Sequence, residues 1–434
     1  MTVKETRHAE LVSASENIEA PYELPEGWKW CRLGDFFTHT TGKALKKENT
    51  VGSLKKYITT SNIYWNYFDF SDIREMYFTD SELEKCTATK GDLLICNGGD
   101  VGRGAIWNFD YDICLQNHVS RLRKKTNNVS TEYFYYIFRF YKDSGLINGK
   151  GIGISSLSAK AINELSIPLP PTLAEQERIV KRIETMFAKL DQAQEKAQSV
   201  LDSFETRKAA ILHKAFTGEL TEKWRKEKGV SDESWEKKRL EEVCEKIVCG
   251  KTPKEFISVT GDIPYLKVYN ISNNKIDFET TPQFIPKGIH EGKLASSILK
   301  PYDVVMNIVG PPLRKVAIIP SDYPEWNMNQ AIVRFRTLNE VNYKYLYWAL
   351  INPETLSSVI EETRGVVGQQ NISVSQSRGL TIPVPSLPEQ QEIVRILDTV
   401  LEKESRAKEA AQTVLDQIAL LKKSILARAF RGEI

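Results

Sequence analysis

Two stretches of this 434-residue chain place apolar residues at alternating steps of four and three. The first series is Ile179, Ile183, Met186, Leu190, Ala193, Ala197, Val200 and Phe204. The second is Ile393, Leu397, Val400, Ala407, Ala411, Val414, Ile418, Leu421 and Ile425, with Glu404 interrupting. A 3-4 spacing sustained over this length predicts a coiled-coil seam on each of two long helices. Both helices carry the same start signal. Pro170-Pro171-Thr172 followed by Glu175, and Ser386-Leu387-Pro388-Glu389, read as capping boxes, hydroxyl and carboxylate each serving exposed backbone N–H groups. Gly218 and Gly432, each followed by Glu, close the helices. Two helices of matched length and seam can bury each other's stripe, and Ala193, Ala197, Ala407 and Ala411 allow close approach. The alternative is that each packs only on its own globular part. Joined through a whole globular segment they could run either way, and an internal two-fold would make them antiparallel.

Before each helix the apolar pattern shortens to strand-like runs. Lys56–Thr60, Asp92–Cys96, Gly104–Trp107 and Val119–Arg123 are matched by Ile263–Val268, Asp303–Asn307, Val316–Ile319 and Ala331–Arg336. Short helices are predicted at Thr131–Tyr141 and Asn342–Ile351, which makes each segment mixed α/β. The chain thus says nearly the same thing twice. Glu175–Leu220 and Glu389–Ile434 agree at about twenty of forty-six positions. Upstream the match is fainter: Tyr57 to Asn62 with Tyr265 to Asn270, and Asn66 to Asp69 with Asn274 to Asp277.

Composition narrows the classes. Fifty-nine basic and fifty-seven acidic residues leave a net charge of +2, and residues 21–170 hold 19 and 17, so a nucleic-acid surface would have to be a local patch. No apolar run reaches the roughly 20 residues that span a bilayer. The polar N-terminus reads as a disordered lead-in over residues 1–20. Six cysteines with no CxxC pair read as reduced thiols of a cytoplasmic protein rather than disulfides or zinc ligands. Cys249-Gly250-Lys251-Thr252 resembles the end of a P-loop, but position 245 is Glu where its first glycine belongs. Gly149 to Gly153 lacks the strand–turn–helix context of a dinucleotide site, and Gly310-Pro311-Pro312-Leu313 lacks the Asn or Asp and the aromatic of an amino-methyltransferase motif. Five scattered histidines supply no nucleophile–base pair. The chain does not read as an enzyme.

Leu24-Pro-Glu-Gly-Trp28, a variable segment, a helix ending Ala215-Phe-Thr-Gly218-Glu-Leu-Thr-Glu-Lys-Trp224, a second variable segment and a second helix resemble the specificity subunit of Type I restriction–modification systems. Ile167-Pro-Leu-Pro-Pro171 and Ile382-Pro-Val-Pro-Ser386 are similar to its domain–helix junctions. The resemblance covers nearly all of residues 21–434. It implies an α+β fold: two mixed α/β target-recognition domains in pseudo-two-fold arrangement, separated by two long antiparallel helices forming a coiled coil. The expected division is 21–170 and 221–385 for the recognition domains, and 171–220 and 386–434 for the conserved helices. Implied partners are double-stranded DNA, two modification (methyltransferase) subunits and restriction (translocase/nuclease) subunits, with no membrane. Catalysis belongs to those partners: no cofactor is expected in this chain, while they use S-adenosylmethionine, ATP and Mg. The chain stops directly after the second helix, so no longer tail is expected.

Base edges are read by donors and acceptors on exposed loops. In the first domain the candidates are Lys43, Lys46, Lys47, Thr59, Ser61, Asn62, Tyr64, Arg103, Asn117 and His118. In the second they are Lys251, Lys267, Tyr269, Asn270, Arg314, Lys315 and Gln330. A third loop with Ser155 and Ser156 answers Gln369, Gln370 and Asn371. Each residue taken singly also fits a solvated loop or a turn-stabilising role, Asn62 and Asn270 above all. Two other functions stay open here: an enzyme with divergent motifs, and a scaffold whose helices organise proteins without reading DNA.

Overall fold

The strand-like runs pair into two small sheets in each half of the chain, in a computed structural model that describes residues 21–45, 50–147, 157–231, 235–253, 257–357, 359 and 371–434. The expected lead-in and the candidates Lys46, Lys47, Ser155, Ser156, Gln369 and Gln370 lie outside the described residues. The chain forms two compact units, residues 1–198 with 412–434, and residues 199–411. Each long helix therefore contributes its N-terminal part to one unit and its C-terminal part to the other. Among the described residues no helix is long and apolar enough to cross a membrane.

In the first unit, Phe37–Thr41, Val119–Lys124, Leu93–Cys96 and Gly104–Ile106 form an antiparallel sheet in that order. A second sheet runs Arg74–Phe78, Ser53–Ile58, Ile113–Leu115, Thr87–Ala88, with its middle pair parallel. The second unit repeats the plan. Val248–Cys249, Ile332–Phe335, Val304–Asn307 and Val316–Ile318 form one sheet; Phe284–Ile285, Ile263–Leu266 and Asn327–Met328 form the other, again with a parallel pair.

A repeated ion pair pins the first of these sheets. Arg123 donates to both oxygens of Asp92 at 2.8 and 2.6 Å, and Arg336 does the same to Asp303 at 2.7 and 2.8 Å. Both carboxylates are buried and also accept a backbone N–H, from Thr89 and from Lys300. A planar guanidinium matching a carboxylate edge-on is the geometry in which such a pair holds a fixed angle. The Ile-Pro phrases are strands. Ser166–Leu169 pairs with Lys29–Arg32, and Thr381–Val384 pairs with Glu236–Arg239. Each is one of two strands, so proline's missing N–H removes no ladder bond on its open side.

The long helices span Leu173–Phe216 and Leu387–Phe430. Within each unit they run antiparallel. In the first, Arg178 donates to the Ile434 carbonyl and Lys422 pairs with Asp191; in the second, Arg207 pairs with Glu404 and Lys408 with Glu205. The interrupting Glu404 is thereby answered, accepting from Arg207 Nε at 2.8 Å. Ile179, Ile183, Phe204, Ile393, Leu397 and Ile418 of the expected seam are buried, and Met186, Leu190, Val200 and Val400 are half-buried. The phase slips in the C-terminal part of the second helix, and Val414 and Leu421 are exposed there, as is Ala407. Lys422 takes the inward position instead. Its stem covers apolar surface while its Nζ lies 5.8 Å from the Phe187 ring.

Gly218 and Gly432 end the helices in the left-handed region, at φ 86° and 73°. The capping boxes form only in part. Thr172 Oγ1 accepts from the Glu175 N–H at 3.2 Å, but both glutamates turn to arginines rather than back to the cap. Glu175 meets Arg178 at the surface. Glu389 is fully buried and accepts from Arg225 Nη1 and Thr221 Oγ1, each at 2.7 Å.

Removing one partner of a buried pair leaves an uncompensated charge, whereas an exposed pair contributes little. Glu389→Gln is expected to lower stability by about 3 kcal/mol, and Glu175→Gln by less than about 1 kcal/mol. Urea unfolding of the two variants beside the parent checks this difference.

Candidate nucleic-acid interface

Four loops meet at one place in each unit. In the first they are the 3-10 turn Thr60–Asn62 with the hairpin after it, the turn 97–103, the segment 116–118, and the strand exit at Gly42-Lys43. Arg103 Nη2 donates to the Thr60 carbonyl at 2.8 Å, Asn97 Nδ2 to the Asn117 carbonyl at 3.4 Å, and the Asn117 N–H to the Lys43 carbonyl at 2.9 Å. In the second unit the turn Val268–Asn270 stands in the same relation to residues 308–315, 328–330 and Gly250-Lys251. Lys315 Nζ reaches the Val268 carbonyl at 3.5 Å, and the Lys251 N–H reaches the Met328 carbonyl at 3.3 Å.

The glycines of this cluster have a steric reason. A methyl on Gly42 would lie 2.1 Å from the Leu115 carbonyl oxygen, and one on Gly250 would lie 2.0 Å from that of Met328. The Gly250-Lys251 pair therefore marks a close backbone approach, in the place where Gly42-Lys43 stands in the other unit.

Asn62 and Asn270 organise the turns from inside. Asn62 Oδ1 accepts from the Thr59 N–H at 2.8 Å and Nδ2 donates to the carbonyls of Asp69 and Asp72. Asn270 does the same with Lys267, Asp277 and Thr281. At 2% and 0% exposure neither side chain offers an edge to a ligand. Lys43 is likewise withdrawn: its Nζ lies 2.7 Å from both the Tyr77 carbonyl and Glu82, and its hydrogen bond holds that carboxyl below the usual range. Arg103 is mostly buried, its guanidinium 4.9 Å from the Tyr64 ring. It anchors the 97–103 turn to the Thr60 turn, and Lys315 serves the second unit in the same way. Thr59, Tyr64, Asn117 and Lys267 are half-buried at the rim.

Ser61, His118, Lys251, Tyr269, Arg314, Gln330 and Asn371 are exposed. Arg314 is displayed by a left-handed backbone at φ 68°, and Asn371 bridges to Val309 beside its loop. Residues not foreseen join them. Tyr67 is 56% exposed and stacks on Tyr64 with centroids 4.8 Å apart, and Lys275 and Asn273 occupy the matching hairpin. His39 Nε2 and Asn97 Nδ2 both meet Ser120 Oγ, at 2.9 and 3.0 Å, and burial pushes the His39 imidazole below its ordinary range. Asn66 and Asn274 at positive φ mark tight hairpins, a signal the sequence did contain.

The Type I restriction modification DNA specificity domain model matches residues 25–201 and 232–414. The chain belongs to that family. As a Type I specificity subunit it is a DNA-recognising component and not a catalytic one. It is 24% identical to the EcoKI specificity subunit of Escherichia coli strain K12, covering 95% of this chain and 90% of that one. To the MjaVIII specificity subunit of Methanocaldococcus jannaschii it is 26% identical, covering 96% of both. The fold is shared with the HsdS subunit of Thermoanaerobacter tengcongensis, at 19% identity and TM-score 0.64 over 96% of this chain and all of that one. A chain from a structural study of type I R-M system assembly gives 0.72 at 18% identity, over 95% of this chain and all of that one.

The buried and exposed members of the cluster separate experimentally. Asn270→Ala removes the partner of one backbone N–H and two carbonyls of the turn and should cost about 2 kcal/mol in urea unfolding. Lys251→Ala should leave stability within about 0.5 kcal/mol. If that lysine meets a phosphate, the slope of log K against log salt for DNA binding should fall by about 1.

Proposed function

We propose that each loop cluster reads one half of a bipartite, asymmetric DNA site, and that the subunit brings two modification subunits and the restriction subunits to that site. The observation that supports this most is the repetition of one scaffold with different exposed side chains. The same asparagine-centred turn and the same strand-exit glycine recur, while Ser61 faces Tyr269 and Tyr67 faces Lys275 across the repeat. A scaffold protein would need no such pair of variable polar rims, and an enzyme would need a nucleophile or cofactor cradle that the motifs do not supply. Methyl transfer from S-adenosylmethionine and ATP- and Mg-dependent steps belong, on this reading, to the partner chains, acting on DNA inside the cell.

Exchanging residues 21–170 for the equivalent segment of a relative, in a complex with its modification subunit, tests the reading. Methylome sequencing should show one half of the methylated site changed and the other intact. A change in both halves, or in neither with activity retained, would refute two independent readers. The purified chain alone should transfer no methyl group to DNA.

A further inference from the structure

The hairpin after each buried asparagine does not end in solvent. In the first unit its tip residue Trp65 packs edge-on against Tyr135 of the helix Thr131–Asp143, with centroids 5.7 Å apart. Arg139 of the same helix holds its guanidinium 5.9 Å from the Trp65 ring and 5.1 Å from Phe187 of the first long helix. Phe187 is also approached by Lys422 of the second long helix, itself paired with Asp191. The hairpin is thus joined to the first long helix through one cation held between two rings, and Lys422 on the same Phe187 ring extends the link to the second.

The second unit makes the same connection with hydrogen bonds. The Asn274 carbonyl at the hairpin tip accepts from Tyr347 Oη at 3.0 Å. The Tyr347 ring packs on Trp348, centroids 4.9 Å apart, and Trp348 Nε1 donates to Asp398 of the second long helix at 3.0 Å. Lys344 holds the other Asp398 oxygen at 2.9 Å. Tyr135 and Tyr347 occupy the same place, five residues after the caps Ser130 and Asn342. Two unrelated chemistries therefore link hairpin and long helix through the same tyrosine position. Packing alone would need neither a guanidinium between rings nor a carboxylate on an indole N–H, since an apolar side chain would fill either gap. What these groups add is direction, because a cation over a ring and a charged hydrogen bond both fix angle as well as distance.

Resting on the DNA-recognition reading above, we infer that Arg139 and Asp398 are positioning residues for base recognition. Each links the tip of one reading hairpin to a long helix of its unit, so that Ser61 to Tyr67 and Tyr269 to Lys275 meet the bases at a set depth. Neither residue touches DNA; each acts through its hairpin.

The test measures discrimination. The full complex with the modification subunit is given oligonucleotides altered by one base in either half-site, and methylation rates are compared with the cognate site. Arg139→Ala should reduce discrimination about tenfold, the scale of one misplaced base contact, in the half-site read by the first unit. The other half-site should stay within about twofold, as distant independent sites do. Asp398→Ala should give the mirror result, and Arg139→Lys and Asp398→Asn, which keep a cation and an acceptor, should restore most of the loss. Phe187→Leu, which keeps apolar volume but removes the ring, is run in parallel in case Arg139→Ala folds poorly. Uniform loss at all sites with unchanged discrimination would overturn the clamp in favour of a purely structural role. A parent complex with no sequence preference would overturn the DNA-recognition reading, and the clamp with it. A discriminating parent beside equally discriminating variants overturns the clamp alone.

Discussion

Each unit is completed by the last turns of a long helix, which reach the first unit from the far end of the chain and open the second. In the first, Phe430 packs against Tyr133 and Phe140 at 5.3 and 5.4 Å, and its carbonyl accepts from Tyr22 Oη. In the second, Phe216 packs against Tyr345 at 5.3 Å. Tyr133 and Tyr345 then donate to the carbonyls of Pro168 and Pro383, in the strands that precede the long helices. Burial pushes both phenols far above their ordinary range, so each remains a donor at any physiological pH. One tyrosine thus ties a short helix, a junction strand and the end of a long helix. Without these last turns, Ile179, Ile183 and Phe187, or Ile393, Leu397 and Leu401, would lose apolar partners they share a core with. In the first unit the segments that fold together are therefore not contiguous, whereas the second is one continuous run, residues 199–411.

That dependence explains which positions could vary across the repeat. Residues that close the units are the same on both sides: Phe216 and Phe430, Asp92 and Asp303, Arg123 and Arg336, Asn62 and Asn270. The polar groups of the last three pairs are committed internally, and a change in any of those would leave a buried donor, acceptor or charge unanswered. The exposed rim around the turns has no such obligation. Ser61 and Tyr269, or Tyr64 and Ser272, sit on the same backbone and can differ without cost to the core.

The long helices, the main strands and the two short helices were legible because they rest on local periodicity, which the sequence carries directly. The reach of each side chain was not. Glu175 and Glu389 hold the same place in one motif, yet one meets Arg178 three residues on and the other meets Arg225, which is 164 residues away. The seam slipped for a related reason. A strict heptad count carries Val414 and Leu421 inward, but the helix also packs on a globular core, and there Lys422 with its Asp191 partner takes the inner position. Lys43 looked like a free cation because nothing in its neighbourhood announced Glu82. Local pattern gives the element; long-range pairing decides which of its polar groups remain free.

The same accounting bears on how a nearly neutral chain could read DNA. Phosphate contacts give affinity that is largely indifferent to sequence, and they scale with the cations left free to make them. Here Lys43, Arg103 and Lys315 are spent within the loop clusters, on Glu82, Thr60 and Asp100, and Val268. Among the described residues the rims offer mainly hydroxyl, amide, imidazole and aromatic surface, with Lys251, Lys275 and Arg314 on the second unit. Such a rim favours discrimination over grip, since most of its groups gain from a matching base edge and little from a phosphate. On the proposed reading, non-specific affinity would then come from other chains of the assembly. Among the described residues the first rim offers stacking and hydrogen bonds and the second more charge, and on the proposed reading salt would weaken the contacts of these described cations most.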